Sequence, residues 1–266
     1  MNTGLSRRLV SLAAALGFAM CVHAEGWSPF GIGVLPLEDA QFPSVNESVY
    51  GLNLSILGGK HNQMYGLSVS VFGYMAHEVA GFDVACLNIA DAAPCGVLQV
   101  GVHNFILEEG CGMQVGWRNS TAVFSGLQIG ALNIPTDKTD KTKFLEGRIN
   151  NDVSGAQIGV LNASVGVLNG VEIGAANLAK SANGVQIGAL NGSSYFCGVQ
   201  IGAFDIAKQS VGLQLGVFNY AGEMCGVQIG AVNVASRAFR GVQLGAVNIL
   251  AGGNAPCLPI LRVTLD

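Results

Sequence analysis

The stretch Gly226-Val227-Gln228-Ile229-Gly230-Ala231-Val232-Asn233 is the unit from which most of this chain is built. It returns as Gly241-Val242-Gln243-Leu244-Gly245-Ala246-Val247-Asn248. Working outward, clear copies start at Gly112, Gly126, Gly155, Gly170, Gly184, Gly198 and Gly212, and weaker ones at Gly51, Gly66, Gly81 and Val97. Most starts lie 14 or 15 residues apart, and a fixed short period is the mark of a repeat architecture. One step, from Gly126 to Gly155, is 29 residues; a degenerate copy fits inside it, with Phe144, Gly147, Ile149 and Asn150 in register. Thirteen repeats result, or fourteen with the degenerate one.

Within the unit the places are strict. The third is Gln at Gln99, Gln114, Gln128, Gln157, Gln186, Gln200, Gln214, Gln228 and Gln243, with Glu172 as a variant. The eighth is Asn at Asn133, Asn162, Asn191, Asn219, Asn233 and Asn248, among others, with Asp205 as a variant. The fifth is Gly from Gly101 onward. Amides flanked by β-branched residues suit short strands, and Gly at fixed offsets marks turns or close backbone approach. Two Gly per unit would cost a helix about 1 kcal/mol each, so the chain is read as all-β.

Two architectures use such a unit. In a narrow β-solenoid each repeat is one coil; Val227, Ile229, Val232 and Val234 then point inward, and amides such as Gln228 and Asn233 stack into ladders along the axis. In an antiparallel outer-membrane barrel each repeat is one strand, with Val227, Ile229 and Ala231 facing lipid. A meander reverses direction at every strand, so its natural period is two units, whereas here neighbouring units match as well as alternate ones do. The spacing predicts a solenoid of about 13–14 coils, with the barrel as the alternative. The repeat domain is placed at 51–249, with caps at 25–50 and 250–266, since an open solenoid end exposes unpaired backbone.

Composition narrows the class. Of 266 residues, 50% are hydrophobic and 11% charged, which excludes a disordered chain. Thirteen Lys and Arg against seventeen Asp and Glu give a net charge of -4 with no basic run, so nucleic acid is not an expected partner. Arg7 and Arg8 precede an apolar run from Leu9 to Val22, and Val22-His23-Ala24 fits a small-residue cleavage rule. A signal peptide over 1–24 is expected, with Glu25 as the mature terminus. Cys21 raises a lipoprotein alternative, but Met20 before it is larger than the usual small residue. No later run reaches the length a spanning helix needs.

The repeats resemble the bacterial surface-repeat proteins first named from Leptospira. Beyond the units at Gly226 and Gly241, the likeness extends to Leu35-Pro36-Leu37, Val49-Tyr50-Gly51-Leu52-Asn53-Leu54 and Tyr65-Gly66-Leu67, and to Pro256, Leu258, Pro259 and Ile260 after the last repeat. It covers roughly residues 30 to 261. The resemblance implies a cell-envelope or surface location and supplies no catalytic residues. The chain departs from it in ending Val263-Thr264-Leu265-Asp266 rather than in an aromatic residue.

Six cysteines follow the expected cleavage site: Cys86, Cys95, Cys111, Cys197, Cys225 and Cys257. An exported chain can pair them. On adjacent rungs Cys95 and Cys111 would lie about 5 Å apart, within disulfide reach, while Cys197 and Cys225 would be two rungs apart and too distant. A Cys95–Cys111 bridge is therefore the expected pairing, with small buried thiols as the alternative.

Signals for chemistry are sparse. His61, His77 and His103 are scattered, without a partner carboxylate at a telling spacing, and read as surface or capping residues. No zinc spacing, nucleophile elbow or phosphate loop occurs, and no cofactor is expected. Glu172 and Asp205 read as ladder variants rather than an acid/base pair. The segment 135–154 gathers Asp137, Lys138, Asp140, Lys141, Lys143, Glu146, Arg148 and Asp152; loops on rigid scaffolds often carry function, so it is the candidate contact surface. The low charge of the repeats adds association with a membrane or with other copies. The expected function is a non-enzymatic, exported envelope protein with a structural, adhesive or partner-binding role toward an envelope, host or self partner. An outer-membrane barrel acting as pore or anchor is the alternative, and a carbohydrate-active enzyme a distant third.

Overall fold

The computed structural model describes residues 26–37, 40–135, 152–253 and 256–265, the side chains of Pro94 and Cys95 excepted. The expected signal peptide and its cleavage site lie outside these residues. The chain is all-β, a β-solenoid of stacked parallel coils with about 12 turns, and not a barrel. It divides into two compact units, 1–120 and 121–266.

The first unit contains β1 (Trp27–Gly33), β2 (Gln41–Phe42), β3 (Ser48–Ser55), β4 (Gly59–Ser70), β5 (Gly73–Val84) and the opening of β6 (Leu87–Pro135). β1 runs parallel to β3, and β2 lies antiparallel on β1. The repeat starts then stack on one another: Gly51 pairs with Gly66, Gly66 with Gly81 and Gly81 with Val97, each in parallel. The second unit contains the end of β6, β7 (Val153–Ile158), β8 (Leu161–Ile229), β9 (Val232–Leu250) and β10 (Cys257–Leu265). Its register is equally direct, with Gly126 on Gly155, Gly155 on Gly170 and Gly226 on Gly241. β10 reverses and pairs antiparallel with β9, Val263 opposite Val242, closing that edge of the stack. Parallel pairing at these repeat starts excludes the barrel, whose neighbouring strands would run antiparallel.

The 29-residue step is not two coils. Gly126 stacks directly on Gly155 and Leu132 on Leu161, and Gln157 Nε2 donates to Gln128 Oε1 at 2.7 Å across those 29 positions. No rung therefore stands between the coils of Gly126 and Gly155, and the degenerate copy around Phe144 to Asn150 lies outside the described residues.

The repeat's glycines answer to close approach. Gly226 has φ +142°, and a Cβ there would sit 2.1 Å from the Gly212 carbonyl oxygen. At Gly230 a Cβ would meet the Gly216 oxygen at 2.3 Å and Asn219 Nδ2 at 2.6 Å. The fifth-place Gly thus makes room for the amide of the preceding coil.

One expectation is overturned. The aliphatic side chains of the second and fourth places do not form the interior; the amides do. In the second unit Gln157, Gln186, Gln200, Gln214, Gln228 and Gln243 are each at most 1% exposed, and Asn133, Asn162, Asn191, Asn219, Asn233 and Asn248 are at 0%. Of the fourth-place column, Ile129, Ile158, Ile173, Ile187, Ile201, Leu215 and Leu244 are 36–44% exposed, and Ile229 is half-buried. A period-two alternation permits either face to turn inward. Stacking settles the choice, because an amide aligned with identical amides one rung away has a donor and an acceptor waiting for it. The rest of the interior is a thin apolar seam of Val153, Leu168, Ala179, Ala182, Phe196 and Ala207, continued by Ala221, Met224, Ala235 and Leu250.

Candidate functional site

The two amide ladders organise the second unit. Along the Gln column each Nε2 donates to the Oε1 of the preceding coil: Gln200 to Gln186, Gln214 to Gln200, Gln228 to Gln214 and Gln243 to Gln228, at 2.8–2.9 Å. The Asn column runs in the opposite sense. Asn133, Asn162, Asn177, Asn219 and Asn233 each donate Nδ2 to the Oδ1 of the following coil at 2.8 Å. The same Nδ2 reaches a fourth-place carbonyl of that coil, as in Asn219 to the Ile229 oxygen at 3.0 Å. Each buried bond contributes about 1 kcal/mol net, and each buried polar group left alone costs about 1–3 kcal/mol, so the columns stabilise as continuous chains.

Two carboxylates interrupt them, and a third is buried in the first unit. Asp205 stands in the Asn column and accepts from Asn191 Nδ2 at 2.7 Å, but it has no N–H to pass on. Its Oδ2 and the Oδ1 of Asn219 are both buried without a partner, and both lie 2.9 Å from the point a Cβ on Gly216 would occupy. Two acceptors share a place built for a donor and an acceptor; a proton on Asp205 repairs the column. Burial pushes its pKa up to about 6, opposed by the Asn191 bond. Glu172 stands in the Gln column, accepting from Gln186 at 2.8 Å and from Ser164 at 3.3 Å, and burial raises it to about 7. Asp83 in the first unit, at the third place of its coil, is wholly buried. Burial raises it to about 7, with Ser68 and Gln99 acting against the shift, although neither closes a bond of good geometry to it. Sequence inspection singled out Glu172 and Asp205 but missed Asp83, because its column reads Asn53, Ser68, Asp83, Gln99 and lacks the regular Gln. Sealed inside the coil, these acids are unreachable by a substrate.

Two histidines depart from expectation, His61 in its burial and His77, though exposed as expected, in having a carboxylate partner. His61 is only 1% exposed, with Nε2 3.2 Å from Asn53 Oδ1 and Nδ1 3.4 Å from Gln41 Nε2. Burial lowers its pKa to about 4. His77 has a carboxylate partner in Asp91, fourteen residues on. That spacing carries no meaning in a helix or loop but equals one coil here. Among the described residues no group of His, Cys, Asp or Glu has the arrangement to hold a metal ion.

The expected bridge between Cys95 and Cys111 finds no support. The Cys95 side chain lies outside the described residues, and Cys111 is a free thiol. The register explains why. A Cβ on Gly112 would fall against the backbone of Val97, so Cys111 aligns with Gly96, one place away from Cys95. Cys197 and Cys225, also free, fall two coils apart, as their spacing requires.

Of the candidate contact segment, Asp137, Lys138, Asp140, Lys141, Lys143, Glu146 and Arg148 lie outside the described residues. Asp152 is described, and its carboxylate accepts from the Val167 backbone N–H at 2.8 Å, a role in holding the coil.

What the structure brings together instead is an outer face. From Gly126 to Leu250, every charged side chain described at places two to nine of a coil is buried in a ladder, namely Glu172 and Asp205. The outward places there carry Ile, Leu, Val, Phe, Tyr220, Ala and Gly, with Phe204 52%, Val160 59% and Val217 61% exposed. Lys180 and Lys208 occupy place eleven of their coils, and Glu223 and Arg237 place twelve. Around them a shallow depression is lined by Tyr195, Lys208, Gln209, Gly222, Glu223, Ser236 and Arg237. Glu223 accepts from Gln209 at 2.8 Å and faces Arg237 at 3.4 Å, an exposed pair of small energetic weight. Contiguous apolar surface on this scale marks an interaction site in a soluble protein. The chain matches no family model, no curated protein and no solved structure.

Proposed function

We propose that this chain is an exported, non-enzymatic repeat protein of the bacterial envelope, with a structural or adhesive role, and that it acts through its outer surface. The observation that carries this reading is the uncharged aliphatic face of the second unit, turned outward while the polar amides are turned in. A folded unit that hides its hydrogen-bonding groups and displays its aliphatic ones is arranged to meet a partner rather than to transform a substrate. The leader pattern over 1–24 and the resemblance to surface-repeat proteins support the envelope location. Ladder continuity supports a rigid scaffold role, since each coil is held to its neighbours by backbone and side-chain bonds alike.

The test is to express the full chain in a bacterium, fractionate the cells and sequence the N-terminus of the product. Protein beginning at Glu25 in the envelope or exported fraction is the expected result. A cytoplasmic product still beginning at Met1 would overturn the proposal.

A further inference from the structure

We infer that the uncharged face of the second unit is a lipid-contact surface: its columns rest against the acyl chains of a membrane, and the charged places eleven and twelve lie at the headgroups. The inference rests on the envelope reading above and names the partner for it.

Three observations carry it. First, contact with hydrocarbon requires backbone polar groups to be satisfied within the protein. Here coil pairs with coil in parallel register from Gly126 through Gly241, and β10 covers the last one. Second, the side-chain amides that would be costly in hydrocarbon are the buried ladders, at most 1% exposed. The solenoid therefore places its aliphatic side chains outward, as a membrane barrel does, while keeping its coils parallel. Third, charge is segregated: Lys180, Lys208 and Arg237 at places eleven and twelve, with Arg240 just before Gly241, outnumber Glu223, whereas places two to nine show none outward. That division suits an apolar layer bounded by phosphate headgroups.

A protein partner fits less well. Protein interfaces carry about one hydrogen bond per 100–200 Å² and a polar rim. Columns such as Ile173, Ile187, Ile201 and Leu215 offer no donor or acceptor to set a register. A fluid hydrocarbon surface needs none.

The test is flotation of the folded mature chain with vesicles of phosphatidylcholine, alone and with one-fifth phosphatidylglycerol. The expected result is recovery with both, stronger with the anionic vesicles. Ile187→Lys combined with Ile201→Lys should lower the bound fraction at least tenfold with the β-sheet circular dichroism retained. Lys208→Glu with Arg237→Glu should remove only the preference for anionic vesicles. Should the lysine variant fail to fold, Ile201→Trp keeps the question open to measurement. Its fluorescence should be quenched by bromine-labelled acyl chains, and that of Tyr195→Trp on the charged edge should be quenched several-fold less. Protein that stays with the lipid-free fraction, or equal quenching at the two positions, would overturn the inference. So would a lipid-free dimer that Ile201→Lys dissociates, which would assign the face to a second copy. Each outcome is read on purified protein, so its failure is distinct from a failure of the envelope location, which fractionation decides.

Discussion

The two units use one coil plan with different interiors, and the difference shows what the repeat is for. In the second unit the interior columns are almost pure amide, and the fourth-place column outside is almost pure Ile and Leu. In the first unit the third-place column is mixed, Asn53, Ser68, Asp83, Gln99 and Gln114, and the interior holds His61, Met64 and Tyr74 as well. Its outward face also carries Arg118, seated over the Phe105 ring at 5.3 Å. Where side chains of one shape repeat along a column, Glu172 and Asp205 included, the outside is free to become uniformly apolar. Where larger groups enter the interior, each coil must be fitted to its neighbours individually, and the exterior is mixed.

The largest expected effect breaks the stacking itself. Gly226→Val places a branched side chain at φ +142° with its Cβ 2.1 Å from the Gly212 oxygen. It should cost upwards of about 4 kcal/mol in chemical denaturation. Gly96→Ala in the first unit, at φ +69° with nothing within 4 Å, should cost only about 1 kcal/mol.

The next tests the ladders. Gln200→Leu strands Gln186 Oε1 and removes one of the two acceptors of Gln214 Nε2, which keeps the Tyr220 carbonyl; it should destabilise the second unit by about 2–4 kcal/mol. Ser68→Ala in the first unit removes one 3.2 Å bond from Asn53 and should cost about 1 kcal/mol. Equal losses would mean that the pure column confers no extra stability.

pH separates the units more finely. A buried acid with a raised pKa contributes stability that is fully present below its unfolded value near 4 and is lost as pH rises through its folded value. Glu172 and Asp205, raised to about 7 and about 6, should make the second unit lose several kcal/mol between pH 4 and pH 7. In the first unit Asp83, raised to about 7, acts in the same direction. His61, lowered to about 4, opposes it, since its contribution is present above 6.5 and lost as pH falls toward 4. Hydrogen exchange measured across this range should therefore show a flatter profile in the first unit than in the second. Asp205→Asn restores a donor toward Asn219 Oδ1 and should raise the stability of the second unit at pH 7 by about 3 kcal/mol, with little change at pH 4. An unchanged slope in that variant would remove Asp205 from the account.

The smallest effect belongs to the 29-residue step. Because Gly126 already stacks on Gly155, deleting residues 137–150 leaves a connection of ordinary repeat length. Loop-length changes of this order alter stability by less than about 1 kcal/mol. A large loss on denaturation would show that the segment holds the coils together.

Much of this molecule was legible in its residues. The 14–15-residue period and the unit-to-unit identity favoured a parallel stack over a barrel, because identical units in register place Gly on Gly and amide on amide. The sites were less legible, since a contact such as that of His77 with Asp91 joins residues one coil apart that carry no local motif. Asp83 was hidden by an irregular column, and the Cys95–Cys111 pairing by a single-residue offset around Val97.

By itself the sequence determined the period, the all-β class, and the identity of the residues that form ladders. Only the tertiary structure decided which face of the coil looks inward. Alternation at period two makes Gln228 and Ile229 equal candidates for the interior, and hydrophobicity alone favours Ile229. The stacked coil reverses that preference, because an amide buried beside its own kind has its donor and acceptor met at every rung. The displaced aliphatic side chains then become the surface that the protein presents.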